Sequence, residues 1–180
     1  MNEYIKTLKD AKKLDICLRP NRWKFENKPY IISGPCSVES EEMIVNWAHQ
    51  MKNSGVNALR GGAYKPCTYP IRDEVGKNGW KEGLREQGLR FLKTARRETG
   101  LPIVTEIMDA NQITDSALEC IDIVQVGTRN FQNYTLLDAL GELEIPILLK
   151  RGTWGTIDEI LGAVERILVR GNEKVAICLR

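Results

Sequence analysis

Six short apolar runs punctuate the chain, and each leads directly into a residue that can do chemistry. Tyr30-Ile31-Ile32 leads to Cys36, Ala58-Leu59 to Arg60, Ile103-Val104 to Glu106, Ile123-Val124 to Arg129, Ile147-Leu148-Leu149 to Lys150, and Val175-Ala176-Ile177 to Arg180. Runs this short and this rich in Ile, Val and Leu read as strands covered on both faces. The segments between them carry a helical period. Ser40 is placed to cap a helix with Glu41 and Glu42 in its first turn, Met43, Ile44, Trp47, Ala48 and Met51 along one face, and Gly55 closing it. Leu84, Leu89, Phe91, Leu92 and Ala95 mark a second helix that ends near Gly100, before the Leu101-Pro102 strand entry. Shorter helices are expected at 110–118 and 133–141, and a longer one at 156–170 with Ile160, Leu161, Val164, Ile167 and Leu168 inward and Gly171 as its stop.

The order is strand-helix repeated five times and then a sixth strand, which implies a parallel sheet with helices on its faces. In such folds ligands sit beyond the carboxyl ends of the strands, so the reactive residues belong to one rim. Residues 1–28 hold no clear unit and read as an amino-terminal extension to a βα domain at 29–180. An eight-stranded barrel usually takes about 250 residues, whereas this chain of 180 stops on its sixth strand. Two architectures remain open at this point: an incomplete (β/α)8 barrel, or an open doubly wound sheet with exposed edges.

Composition narrows the function classes. With a net charge of +2 and 28% charged residues, the chain has no overall charge excess that argues for nucleic acid, so any basic cluster must be local. No apolar stretch approaches the roughly 18 residues of a membrane span. The polar start, with its acidic residues, is neither a secretory signal nor a typical transit peptide. The five cysteines, Cys17, Cys36, Cys67, Cys120 and Cys178, are odd in number, far apart and without a CxxC pair. A reduced, cytoplasmic protein is expected, with no membrane and no nucleic acid among its partners. His49 is the only histidine and falls opposite the apolar stripe of its helix, so it is expected to face solvent. A Ser-His-Asp triad or a histidine-rich metal site cannot be built here.

The most specific stretch is Leu59 to Pro70, LRGGAYKPCTYP. Arg60 and Lys65 bracket Gly61 and Gly62, which permit close backbone approach to a ligand, and two cations beside exposed amides suit a phosphate or a carboxylate. Alone, the segment reads equally well as a glycine bend with solvated charges. Arg129 in VGTRN, Lys150 in LLKRG and Arg180 in ICLR occupy corresponding positions after three further strands. Five cations gathered at one end of a closed sheet would repel one another without an anion, so a multiply charged ligand is the better account. Cys36, in SGPCS, is by base rate a buried structural thiol, with a metal ligand or nucleophile as the alternative. Glu106 and Asp109, in TEIMD, are placed to orient the cations or handle protons, with a helix N-cap as the other reading of Asp109.

Taken together, the motifs resemble the type I 3-deoxy-D-arabino-heptulosonate 7-phosphate (DAHP) and KDO 8-phosphate synthase family. The match runs through SGPCS at 33–37, RGGAYKP at 60–66, TEIMD at 105–109, QVGTRNFQN at 125–133, LLKRGT at 148–153 and ICLR at 177–180. The synthase that makes KDO 8-phosphate is the poorer match at the KP and GTRN segments. The resemblance implies a TIM-type (β/α)8 barrel of which about six strands are present. It also implies a condensation of phosphoenolpyruvate with erythrose 4-phosphate, the first step towards the aromatic amino acids. By position it implies Arg60, Lys65, Arg129, Lys150 and Arg180 as phosphoenolpyruvate ligands and Thr68 at the phosphate of erythrose 4-phosphate. Lys65 and Glu106 are then the catalytic candidates, and Cys36 is a ligand of a divalent metal of the Mn, Fe, Co or Zn type. A homo-oligomer is implied as well.

Three departures from the family pattern bear on these expectations. The remaining metal ligands of the family, a histidine, a glutamate and an aspartate, come on its last two strands, for which no sequence remains here. Cys67 stands where the family's KPRT motif has an arginine, and the segment from Tyr69 to Gly88 is longer than the pattern leads one to expect. The leading expectation is an enzyme of this family whose short chain lacks turnover. The alternatives are a phosphoenolpyruvate-binding remnant and a subunit completed by a partner chain.

Overall fold

A computed structural model describes residues 29–65 and 83–179. The amino-terminal extension therefore lies outside the described residues, as do Cys67, Thr68 and Arg180. The chain divides into two compact units. Among the described residues, one comprises 30–65, 83–106 and 114–121, and the other comprises Pro29, 107–113 and 122–179.

In the first unit, β1 (Ile32–Ser33), β2 (Ala58–Arg60) and β3 (Ile103–Glu106) pair in parallel, with Ser33 opposite Leu59 and Leu59 opposite Ile103. Helix α1 (Glu41–Asn53) follows β1, and α2 (Arg85–Thr99) follows β2. Ser40 caps α1 by accepting the Met43 N–H at 3.2 Å. Gly100 ends α2 in the left-handed conformation, as glycine does at that position without steric cost. Ile44 and Ala48 of α1 and Leu92 and Ala95 of α2 are fully buried, as are Leu59, Ile103 and Val104. Each large side chain removed from water in this way contributes about 1.5–3 kcal/mol. Trp47 of the expected stripe remains 39% exposed. His49 faces solvent as expected, and its Nε2 reaches Glu98 of α2 at 3.3 Å.

In the second unit, β4 (Ile123–Val126), β5 (Ile147–Lys150) and β6 (Val175–Cys178) are also parallel, with Val124 opposite Ile147 and Ile147 opposite Val175. Helix α4 (Tyr134–Gly141) connects β4 to β5, and α5 (Ile157–Leu168) connects β5 to β6. Leu136, Leu137 and Leu140 of α4 and Ile160, Ala163, Val164 and Ile167 of α5 supply the core of this unit. Thr156 and Glu159 form a reciprocal capping box at the start of α5, which marks its boundary.

The helix expected at 110–118 is broken. A 3-10 turn at Ala110–Gln112, capped by Asp109, is followed by the one-turn helix α3 (Asp115–Leu118), capped by Thr114. Two hydroxyl or carboxylate caps within five positions satisfy the backbone locally and leave no continuous ladder to form. Within each unit the strands follow in chain order, without the reversal that defines a doubly wound sheet. The architecture is that of an incomplete (β/α)8 barrel.

Candidate functional site

Gly34 organises the chain at the carboxyl end of β1. It adopts φ +149°, and a Cβ there would overlap the Arg60 carbonyl oxygen, so the turn towards Cys36 lies directly on the backbone of β2. Gly62 repeats the constraint: a Cβ would fall 2.5 Å from the Cys36 carbonyl oxygen and 2.9 Å from Cβ of Lys65. The Val38 N–H closes the same junction by donating to the Gly62 carbonyl at 3.1 Å. The Cys36 carbonyl and Cβ of Lys65 thus both lie close to Gly62, two residues beyond Arg60, the last residue of β2. The glycines of RGGAYK permit a close approach, as the sequence leads one to expect, but the approaching group is the chain's own backbone.

The end of β3 supplies the floor of this region. Thr105, 1% exposed, accepts the Ala63 N–H through its hydroxyl at 3.1 Å. Glu106 follows, half-buried, and both it and Lys65 are engaged with neighbours. Burial pushes the Tyr64 phenol above its usual range, and Glu86, whose carboxylate accepts the Tyr64 O–H at 3.4 Å, adds to the shift. The Gly83 N–H donates to the Lys65 carbonyl at 3.0 Å, and the Arg85 N–H donates to the Ala63 carbonyl at 2.8 Å. The two ends of the long segment after Lys65 are therefore pinned together at the base of the candidate site.

In the second unit the register sets Val126 of β4 opposite Leu149 of β5, and Lys150 of β5 opposite Cys178 of β6. Arg129 sits exposed on a 3-10 turn at Thr128–Asn130, immediately beyond β4, and Lys150 is the half-buried last residue of β5. The other described cations of this unit are committed. Arg166 and Arg170 pair with Asp138 at 2.7 and 3.1 Å, and Lys174 donates to the Glu144 carbonyl at 2.9 Å. Arg151, to which no role was given by the sequence pattern, donates from Nη1 to the carbonyls of Gly155 and Gly152 at 2.6 and 3.3 Å. Among the described residues, Arg129 and Lys150 alone in this unit have neither an ion pair nor such a carbonyl bond. Two adjacent strand ends thus hold positive charge with no counterion among the described residues.

One expectation is corrected, and of the two readings of Asp109 the cap is the one observed. Cys36 is exposed and not a buried core thiol, because the glycine turn lifts it off the end of β1. Asp109 is the cap of the 3-10 turn, its Oδ1 accepting the Asn111 N–H at 2.8 Å. The implied divalent metal does not fit the described donors: no group of three or more His, Cys, Asp or Glu among them is placed to hold an ion. A single thiolate does not hold a catalytic metal against water.

The chain's relatives can be set against this geometry. The model of the DAHP synthetase I family matches residues 24–180. A phospho-2-dehydro-3-deoxyheptonate aldolase of Thermotoga maritima is 43% identical over 150 residues, covering 83% of this chain and 42% of the relative. A 2-dehydro-3-deoxyphosphooctonate aldolase of Syntrophotalea carbinolica is 28% identical over 150 residues, covering 83% of this chain and 53% of the relative. The crystal structure of the Thermotoga maritima DAHP synthase superposes with a TM-score of 0.72 at 40% identity, covering 84% of this chain and 41% of that one. A truncated form of the Thermotoga maritima enzyme gives 0.68 at 39% identity, covering 83% of this chain and 50% of that one. The chain therefore spans about half or less of the length of the relatives it matches.

Proposed function

The chain belongs to the DAHP synthetase I family, and from that premise we propose that its strand ends bind phosphoenolpyruvate for condensation with erythrose 4-phosphate. The observation that carries the reading is the pair Arg129 and Lys150, two cations at adjacent strand ends without an anion paired to them among the described residues. Fixed positive groups of this kind suit the carboxylate and phosphate of one small ligand. Arg60, Lys65 and Arg180 are assigned to the same ligand, and Thr68 to the acceptor phosphate.

In the proposed reaction, C3 of phosphoenolpyruvate attacks the aldehyde carbon, water adds at C2, and inorganic phosphate leaves with C–O cleavage. The aldehyde oxygen gains a proton as the carbon–carbon bond forms, and the water loses one as it adds. Lys65 as an ammonium suits the first transfer and Glu106 as a carboxylate suits the second. The cations offset the charge of phosphoenolpyruvate in the ground state and of the phosphate as it departs. A cytoplasmic homo-oligomer belongs to the same reading. Among the described residues no helix is long and apolar enough to cross a membrane.

The shortage of metal donors among the described residues favours the alternatives, a phosphoenolpyruvate-binding remnant without turnover or a subunit completed by a partner chain. Calorimetric titration of phosphoenolpyruvate at low salt tests the shared claim. Binding to the unaltered chain should weaken roughly 10- to 150-fold in Arg129→Ala, as expected for one charge-assisted contact. Equal affinity in both would remove the site. A product assay with added manganese then tests the expectation, common to these readings, that the chain alone lacks turnover, and robust turnover would refute it.

A further inference from the structure

We infer that Phe131 is a positioning residue that sets Arg129 against Lys150, an inference that rests on the reading of those two cations as phosphoenolpyruvate ligands. Arg129 rides on a short turn, closed by the Asn130 N–H donating to the Gly127 carbonyl at 2.9 Å and lacking any side-chain cap at Gly127. A turn this short is held in place mainly by what its neighbours pack against. Phe131, the second residue beyond Arg129, is fully buried. Its ring lies against the loop that follows Lys150.

That loop is built around the ring. A Cβ at Gly152 would fall 2.5 Å from Cε1 of Phe131, and one at Gly155 would overlap Cζ, so both positions are open only to glycine while the ring is there. The Gly155 N–H donates to the Gly152 carbonyl at 3.0 Å, closing a turn around the ring edge. The Arg151 guanidinium, reaching the carbonyls of both glycines, holds that turn shut. Trp154 stands beside the same ring, with centroids 6.1 Å apart and planes inclined at 54°. Gln132 adds a second tie, its amide donating to the Glu159 carboxylate at 3.1 Å.

A buried phenylalanine ordinarily means core packing and nothing more. Here the ring is two residues from one free cation, and the nearer glycine it fills against is two residues from the other. The spacing of Arg129 and Lys150 is therefore fixed by the seating of one ring between two glycines, and small displacements of binding groups weaken a preorganised site disproportionately.

A compensating pair tests this. Gly155→Ala should unseat the ring and weaken phosphoenolpyruvate binding about tenfold or more, and adding Phe131→Leu in the same chain should recover most of the loss by vacating the space. Gly141→Ala serves as a control. Its Cβ would fall 2.7 Å from Cβ of Arg170, and it should lower the unfolding temperature without changing affinity. If Gly155→Ala lowers the unfolding temperature but leaves affinity intact, or if the double variant is no better than the single, the positioning role is refuted. Should Gly155→Ala not fold, the double variant and Phe131→Leu alone still decide: Phe131→Leu should bind more weakly while folding normally, and unchanged affinity refutes the role. Should the unaltered chain bind no phosphoenolpyruvate, the reading on which this rests fails separately. Backbone amide shifts by nuclear magnetic resonance then settle the wedge itself. Gly155→Ala should move the amides of Thr128–Asn130 and the double variant should return them, and shifts confined to 151–156 would overturn it.

Discussion

The Thr105 hydroxyl accepts the N–H of Ala63 at 3.1 Å in a fully buried setting, joining the end of β3 to the loop that carries Lys65. The methyl of a valine would fill nearly the same space and offer no acceptor. Thr105→Val should therefore lower stability by about 1–3 kcal/mol, the penalty of an unsatisfied buried donor, while Thr105→Ser should recover much of it. Urea unfolding of both variants checks this, and a valine variant as stable as the parent would show that the bond carries no weight.

The positive-φ glycines should not be equivalent. Gly55 and Gly171, at φ +75° and +107°, have nothing within 4 Å of the point where an added Cβ would sit, so alanine there should cost only the backbone strain of about 1–2 kcal/mol. Gly34→Ala adds an overlap with the Arg60 carbonyl and should prevent native folding of the first unit. Thermal unfolding of the three alanine variants ranks them, and comparable losses in all three would contradict the packing described for β1.

Stability should fall in acid through the outer face of the second unit. The bidentate hydrogen bonds from Arg166, with a further one from Arg170, hold the Asp138 carboxyl below the usual carboxylate range. The Thr156 N–H and hydroxyl do the same for Glu159. Both folded values lie below the unfolded ones, so this stabilisation is complete above the ordinary carboxylate range and is lost as the pH falls through the folded values. The unfolding temperature should be level above about pH 5 and decline below about pH 4, with a shallower decline in Asp138→Asn. Identical profiles for the two proteins would refute the assignment.

Cys67 bears on the acceptor. In the proposed function, an arginine at this position of the family pattern would offer a charge-assisted contact to the acceptor phosphate that a thiol cannot make. Cys67→Arg should tighten erythrose 4-phosphate binding by roughly 10- to 150-fold while leaving phosphoenolpyruvate affinity nearly unchanged. No change in either affinity would remove the acceptor assignment and turn attention to Arg72, Lys77 and Lys81.

Much of the scaffold is legible in the sequence because its signals are local. Ser40 as a cap, Gly100 as a stop and the apolar face of Ile160, Val164 and Ile167 each act within one or two turns of chain, and each stands where the pattern places it. The break at Ile113 is not legible from periodicity, which does not weigh Asp109 and Thr114 as competing caps. The candidate cations are legible from their recurrence after apolar runs, but not their fates. In Lys150-Arg151 nothing along the chain says which of two adjacent cations is spent on carbonyls, since the Gly152 and Gly155 carbonyls meet the Arg151 guanidinium only through the three-dimensional path of the loop. The exposure of Cys36 likewise depends on Gly34 meeting Arg60 across two strands. One signal is available: glycines three apart around an exposed Trp154, after a strand, mark a close approach.

The central claim is that the strand-end cations Arg129 and Lys150, and not basic residues in general, hold phosphoenolpyruvate. Lys150 and Lys174 belong to the same unit and carry the same charge, yet Lys174 is tied to Glu144 while Lys150 has no such partner among the described residues. Calorimetric titration of phosphoenolpyruvate at low salt into Lys150→Ala and Lys174→Ala compares them directly. The account predicts a loss of roughly tenfold or more for Lys150→Ala and an affinity indistinguishable from the parent for Lys174→Ala. Equal losses in the two variants, or none in Lys150→Ala, would contradict it.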